Sequence, residues 1–205
     1  MKEYTIKKTT LPMNICDERW ERVESVELDH RWEELFPTPY KTSAKMVHGE
    51  DGFEVKMTTD EWPLRITAME LNETVCTDSC MELFFTPNTV DKDYINVEMN
   101  PAGVTLTCIG EKRGNRPRLD IRGEGVIVET LIHPTRGWEV MIYLPYSFVK
   151  KHFSCIEKTF RANFYKCGEY TVRRHYSTWN PILLENPDYH QSSFFGKIYL
   201  SDEML

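Results

Sequence analysis

The chain has 205 residues and a formal net charge of −7, which argues against a nucleic-acid footprint over its surface as a whole. Hydrophobic residues make up 40%, enough for one sizeable core or two small ones. No apolar run approaches the ~18 residues of a membrane span, so neither nucleic acid nor a membrane is expected as a partner.

The first residues, Met1 to Lys8, carry charge but no apolar stretch of the kind a signal peptide needs. The expectation is a cytoplasmic location for a complete chain, and a secreted or periplasmic one if a signal peptide has been removed. The six cysteines, Cys16, Cys76, Cys80, Cys108, Cys155 and Cys167, are scattered without a CxxC pair. They read as buried or free thiols of a reducing compartment, and no nearby histidine completes a zinc site with Cys76 and Cys80.

Residues 1–40 read as an irregular lead-in tacked onto a core by Trp20, Trp32, Phe36 and Tyr40, with Pro37 and Pro39 forbidding a helix. Strand signals begin at 41. Residues 41–48 and 53–59 form a predicted hairpin around Gly49-Glu-Asp-Gly52. A long connection follows over 60–80. Alternation then predicts strands at 81–86, 94–100 and 104–109, with Met81, Leu83, Phe85, Ile95, Val97 and Met99 facing a core. Residues 110–125 hold the basic run Lys112, Arg113, Arg116, Arg118 and Arg122 and read as a mobile, solvated loop. A hairpin over 126–132 and 138–144, a helical turn or two after Pro145, and a final strand at 194–200 complete the pattern. In the strand beginning at Thr159, Phe160, Ala162 and Phe164 oppose Arg161, Asn163 and Tyr165. About nine short strands with almost no helical periodicity predict one all-β domain over 1–205, an antiparallel β-sandwich or barrel.

Three strands thus present a polar face: Glu82; Asn96, Glu98 and Asn100; Arg161, Asn163 and Tyr165. If they share one sheet, Arg161 can sit between the two carboxylates and hold both ionised. Tyr176 and Trp179 form a nearby aromatic pair before the turn at Asn180-Pro181. A polar strand face beside an aromatic suits a ligand with hydroxyls and flat apolar faces, such as a sugar.

The motifs Val75-Cys-Thr-Asp-Ser-Cys-Met-Glu-Leu-Phe-Phe85, Tyr94-Ile-Asn-Val-Glu-Met-Asn100, Arg161-Ala-Asn-Phe-Tyr165, His175-Tyr-Ser-Thr-Trp-Asn-Pro181, Pro187-Asp-Tyr-His190 and Phe194-Phe-Gly196 occur in that order. As a set, from about Lys41 to Leu200, they resemble the family 9-like carbohydrate-binding modules of bacterial proteins. The resemblance implies an immunoglobulin-like β-sandwich that binds mono- or oligosaccharides between two tryptophans without catalysis, as an accessory to glycoside hydrolases. It makes Trp179 one wall of the clamp and Glu82, Asn96, Glu98 and Asn100 its polar partners. Where family members often carry the second tryptophan this chain has Cys76, leaving Trp62 of the preceding loop as a substitute or the clamp half built. No cofactor is expected: calcium occurs in some modules of the family, but no Asp-rich loop here specifies a site.

Rival readings are a structural domain that accompanies a glycosidase without binding sugar, and a haem-binding sandwich domain using Met57, Met69, Met99, His48 or His175. A glycosidase itself would need one carboxyl of the Glu82–Glu98 pair with a raised pKa, which Arg161 would oppose.

Overall fold

The period-2 alternation of the chain becomes thirteen strands in a computed structural model that describes residues 1–114 and 116–205. They are β1 (Glu3–Lys8), β2 (Ser25–Glu27), β3 (His30–Arg31), β4 (Thr42–His48), β5 (Gly52–Thr59), β6 (Cys80–Thr86), β7 (Tyr94–Met99), β8 (Thr105–Gly110), β9 (Ile127–His133), β10 (Gly137–Pro145), β11 (Thr159–Gly168), β12 (His175–Thr178) and β13 (Gly196–Met204). One helix, α1 (Tyr146–His152), follows β10. Among the described residues no helix is long and apolar enough to cross a membrane.

The strands hydrogen-bond in the order β8-β7-β6-β11-β13-β1-β4-β5-β10-β9, with β12 beside β11 and β2 beside β4. This curled sheet folds over as an all-β sandwich, with β8 and β9 as its two ends. Its inner faces share one core, in which Met81, Leu83 and Phe85 of β6, Ile95 and Val97 of β7, and Ala162 and Phe164 of β11 meet Val55 and Met57 of β5 and Val140 and Ile142 of β10. The inward positions expected on β6, β7 and β11 are all in that core. The β9–β10 turn requires glycine at 137: φ is +112°, and a Cβ there would lie 1.9 Å from the Thr59 carbonyl oxygen.

The N-terminal segment corrects one expectation. β1 is a member of the sheet, inserted between β13 and β4 and parallel to both, so the sandwich is not wholly antiparallel. Tyr4 and Ile6 are buried and alternate with outward Glu3, Thr5 and Lys7. Two apolar residues in a six-residue strand that ends in two lysines are a weak period-2 signal, and pairing with two neighbours makes up for it. Two more short strands of the segment pair into the structure, β2 on β4 and β3 on β12, and the remaining residues of 1–40 cover the sandwich. Trp20 packs with Met13 and Ile15 over Val47 and Met141 on one outer face, and Trp32 packs over the outer face of β6 and β11.

Candidate functional site

On β6 and β11, alternate residues turn away from the inter-sheet core. Cys80, Glu82 and Phe84 line up on β6 with Cys167 and Tyr165 opposite on β11, because the register pairs Cys167 with Cys80 and Tyr165 with Glu82. On the other side of β6, Glu82 is the direct partner of Glu98 on β7. Two carboxyl groups therefore stand side by side on one face, 2% and 5% exposed. They form the floor of a cleft of about 310 Å³, together with Cys76 and Cys167.

The walls come from loops and from β12. In the segment 187–190 the Tyr189 ring stacks on Tyr165 at 4.2 Å, and its hydroxyl donates to the Lys166 carbonyl at 2.8 Å. Pinning Tyr189 to β11 fixes its neighbours. Asp188 accepts from the Arg113 guanidinium at 2.9 Å, and His190 Nδ1 meets the Tyr94 hydroxyl at 2.8 Å. Arg116 hydrogen-bonds Asn96 Oδ1 and lies 3.2 Å from His190 Nε2, while Asn96 donates to Glu98 Oε1 at 2.9 Å. The opposite wall is aromatic: Phe36 and Tyr176 meet edge to face at 5.0 Å, with the Arg174 guanidinium 4.8 Å from the Phe36 ring centre.

These surroundings bias the protons. Burial raises the Glu82 carboxyl, and burial together with the facing charge of Glu82 raises Glu98 well above the usual range. Arg113 and Arg116 oppose that shift without cancelling it. Burial and the two arginines lower His190 to about 3, so its ring is neutral. Burial would raise Asp188, but hydrogen bonds from Gln191, Arg113 and the His190 amide leave it below its ordinary value.

Of the sequence-predicted site residues, Glu82, Glu98 and Tyr176 line this cleft, and Asn96 backs it through Glu98. Trp179, Arg161 and Asn100 do not. Trp179 is 2% exposed and belongs to the inter-sheet core, 5.6 Å from Phe164 and 6.3 Å from Tyr4 by ring centres. The reason is parity. Tyr176 pairs with Cys167 and Thr178 with Tyr165, so the even positions of β12 face the cleft side and Trp179, three residues past Tyr176, falls on the other. Gly196 is cut to that indole: a Cβ there would lie 2.5 Å from it.

Arg161 faces the same side as Tyr165 but pairs with Thr86, four residues from the Glu82 row, roughly 13 Å along the strand. Its guanidinium donates to the Ser192 carbonyl, not to the carboxylates. The expected clamp of Arg161 on Glu82 and Glu98 is not formed; Arg113 and Arg116, on the segment expected to be a solvated loop, bond Asp188 and Asn96 and act on the two carboxyls only through their charge. Asn100 is structural. It donates to the Ala68 carbonyl and to Asp78, both at 3.0 Å, and accepts from the amides of Ala102 and Val104, tying the 60–80 connection to the turn after β7. Cys76 does line the cleft; Trp62, 38% exposed, does not. Arg174, Asp188, His190 and Phe36 carried no assignment in the sequence. The basic run and the Pro187-Asp-Tyr-His190 motif were the signals that could have found Arg113, Asp188 and His190.

The haem candidates scatter. Met57 and Met99 lie in the inter-sheet core, Met69 is exposed, His48 meets the Ser201 carbonyl and His175 meets Lys166. A different set converges: Cys80, Glu82 and Cys167 place one potential metal-ligating atom each within 4.8 Å of one another.

The sequence profile of carbohydrate-binding family 9 matches residues 13–200. A comparison with curated proteins returns no match. Among solved structures, a candidate carbohydrate-binding protein from Bacteroides uniformis is similar at 25% identity, over 98% of this chain and 99% of that one, with a TM-score of 0.84. A family 9 carbohydrate-binding module from Caldicellulosiruptor kristjanssonii in complex with glucose shares the fold at 16% identity, over 98% of this chain and 96% of that one, with a TM-score of 0.71. Its complex with cellotriose gives 15% identity, 100% and 95% coverage and the same TM-score of 0.71.

Proposed function

The chain belongs to carbohydrate-binding family 9, and from that premise we propose that it binds mono- or oligosaccharides without catalysis, as an accessory to glycan breakdown, in the cleft over Glu82 and Glu98. The observation that carries the reading is the pair of carboxyl groups on adjacent strands, fixed by the ladder at the cleft floor beneath the Phe36–Tyr176 wall. Carboxyl oxygens accept hydroxyl protons, the Arg113 guanidinium donates, and an aromatic wall takes an apolar face of the ring. The glucose and cellotriose held by the Caldicellulosiruptor module support this ligand class. About 310 Å³ is at the lower end of the range for small-ligand pockets, which suits a single ring or a chain end.

With one aromatic wall built from Phe36 and Tyr176, the affinity for a monosaccharide is weak, near millimolar or roughly −4 kcal/mol. A glycan array followed by calorimetry tests the proposal, with hydrolysis of aryl glycosides assayed alongside to separate binding from cleavage. Trp32, 6.3 Å from Tyr189 by ring centres, is placed to report the contact by fluorescence. Tyr176→Ala and Arg113→Ala weaken binding, while Trp179→Phe leaves it intact. A protein that takes up no sugar on array or in the calorimeter overturns the proposal.

A further inference from the structure

We propose that Cys80, Cys167 and Glu82 form a binding site for a thiophilic divalent cation of the zinc class at the floor of the cleft. Two ladder registers build the site. Cys80 and Glu82 are two apart on β6 and so share a face, and Cys167 is the direct partner of Cys80 on β11. All three side chains are 2% exposed or less. Glu82 Oε1 lies 3.0 Å from Cys167 Sγ and 3.8 Å from Cys80 Sγ. Metal–ligand distances of ~2.3 Å to sulfur and ~2.0 Å to oxygen, in a tetrahedron, require sulfur–oxygen edges of roughly 3.5 Å. The two observed separations bracket that value, so a cation can enter with small side-chain adjustments and no change of strand register.

The fourth position opens on the cleft, which Glu82, Cys167 and Cys76 all line. Cys76 is near: its carbonyl accepts from the Cys167 thiol at 3.6 Å. Either its thiol or a cleft water completes the coordination. Behind the ligands, Glu98 stands beside Glu82 and is itself held by Asn96, the kind of outer support that orients a ligating carboxylate. The chemistry of the donors decides the metal class. Two thiols select against calcium and magnesium, which take oxygen, and in favour of zinc. Among the described residues no cationic side chain contacts the Glu82 oxygen that a cation would take; it receives thiols, weak donors, instead. Burial holds the Cys80 thiol protonated, and the hydrogen bond with Cys80 together with burial does the same for Cys167, so each thiol that becomes a ligand releases its proton.

The inference concerns the floor of the cleft and does not depend on what binds above it. The test is titration of the reduced, chelator-treated protein with Co2+, followed by Zn2+. The expected result is one equivalent of cobalt, with thiolate-to-cobalt charge-transfer absorption in the near ultraviolet and the intense visible bands of tetrahedral cobalt, both bleached by zinc. Calorimetry in buffers of different ionisation enthalpy should count at least two protons released, one for each ligating thiol, and a third where the Cys76 thiol completes the site. Cys80→Ser, Cys167→Ser and Glu82→Gln each weaken zinc at least tenfold, whereas Cys16→Ser and Cys155→Ser, at exposed thiols remote from the site, change nothing. Circular dichroism establishes that each variant is folded, and Glu82→Gln serves where a cysteine variant is not. Absence of the charge-transfer band, or its persistence in a folded Cys80→Ser/Cys167→Ser double variant, overturns the proposal.

Discussion

The two faces of β11 bury ionisable groups in opposite ways. On the inner face, Lys166 is fully buried and spends all three of its protons. It meets Glu61 Oε2, His175 Nε2 and the Cys167 carbonyl, each at 2.8 Å. The Trp138 indole adds a hydrogen bond to the same Glu61 oxygen at 3.3 Å. One residue on, Cys167 faces outward to Glu82 and Glu98, where two carboxyls and the thiols crowd together and the nearest cations stand off on a loop. The inner cluster is sealed and neutralised; the outer one is left in want of a partner and opens on a cleft. A folded chain tolerates the first as structure. The second opposes folding, and it is the arrangement expected where a ligand is to supply what is missing.

Breaking the inner cluster gives the largest expected effect. Lys166→Met strands Glu61 as an unpaired buried charge and lowers stability by about 3–5 kcal/mol in urea or guanidinium unfolding. Adding Glu61→Gln restores much of the loss. Should Lys166→Met unfold like the parent, the inner pair is not the sealed element described above. Next comes Trp179→Ala, which removes an indole packed on Tyr4, Phe164 and Gly196. It should lower stability by about 3 kcal/mol through the cavity it leaves, with sugar affinity unchanged below the melting range. A loss of affinity at full stability would return Trp179 to the ligand site.

The alternation that built the sandwich was plain in the sequence because each inward position repeats on a fixed period. Met81, Leu83 and Phe85 could be placed without knowing their partners. Site residues depend on register between distant strands, which no local pattern records. Glu82 and Glu98 come together on the cleft floor because both lie on cleanly alternating, directly paired strands. Arg161 lies away from the cleft because its row is set by pairing with Thr86, and Trp179 because parity along β12 turns it to the face opposite Tyr176. Arg113, Arg116 and Asp188 sit on loops, where only a tertiary anchor, here Tyr189 stacked on Tyr165, decides which side chains reach the cleft.

The inner cluster also predicts a pH effect. His175 donates from Nδ1 to the Arg173 carbonyl at 2.6 Å and accepts from Lys166, so its ring is neutral. Burial and the Lys166 charge lower it from 6.5 to about 2. A depressed histidine binds protons in the unfolded chain first, so stability is lost as pH falls below 6.5. By pH 5 the loss amounts to about 2 kcal/mol from this group. Glu54 works against it: burial raises that carboxyl from 4.5 to about 7, so its contribution is greatest in acid and fades as pH rises through that interval. The two therefore mask each other, and the measurement is the difference between the parent and His175→Gln at pH 6.5 and at pH 5. A difference that does not change with pH would mean that His175 titrates normally.

The smallest change in stability, and the sharpest separation of the two faces, is expected from Glu98→Gln. The substitution keeps an oxygen for the Asn96 amide to donate to and turns the group facing Glu82 from a competing acid into an amide donor. Replacing an acid that burial and Glu82 both push towards its neutral form should raise stability by about 1 kcal/mol at pH 8, the opposite sign to Lys166→Met two strands away. The same change removes an acceptor from the cleft floor and should weaken sugar binding about tenfold, or about 1.4 kcal/mol. Equilibrium unfolding and calorimetry on one preparation read both quantities. Higher stability with lower affinity is the signature of a group kept for a ligand. Lower stability with unchanged affinity would place Glu98 with Lys166 as part of the structure, and the contrast between the two faces of β11 would then fail.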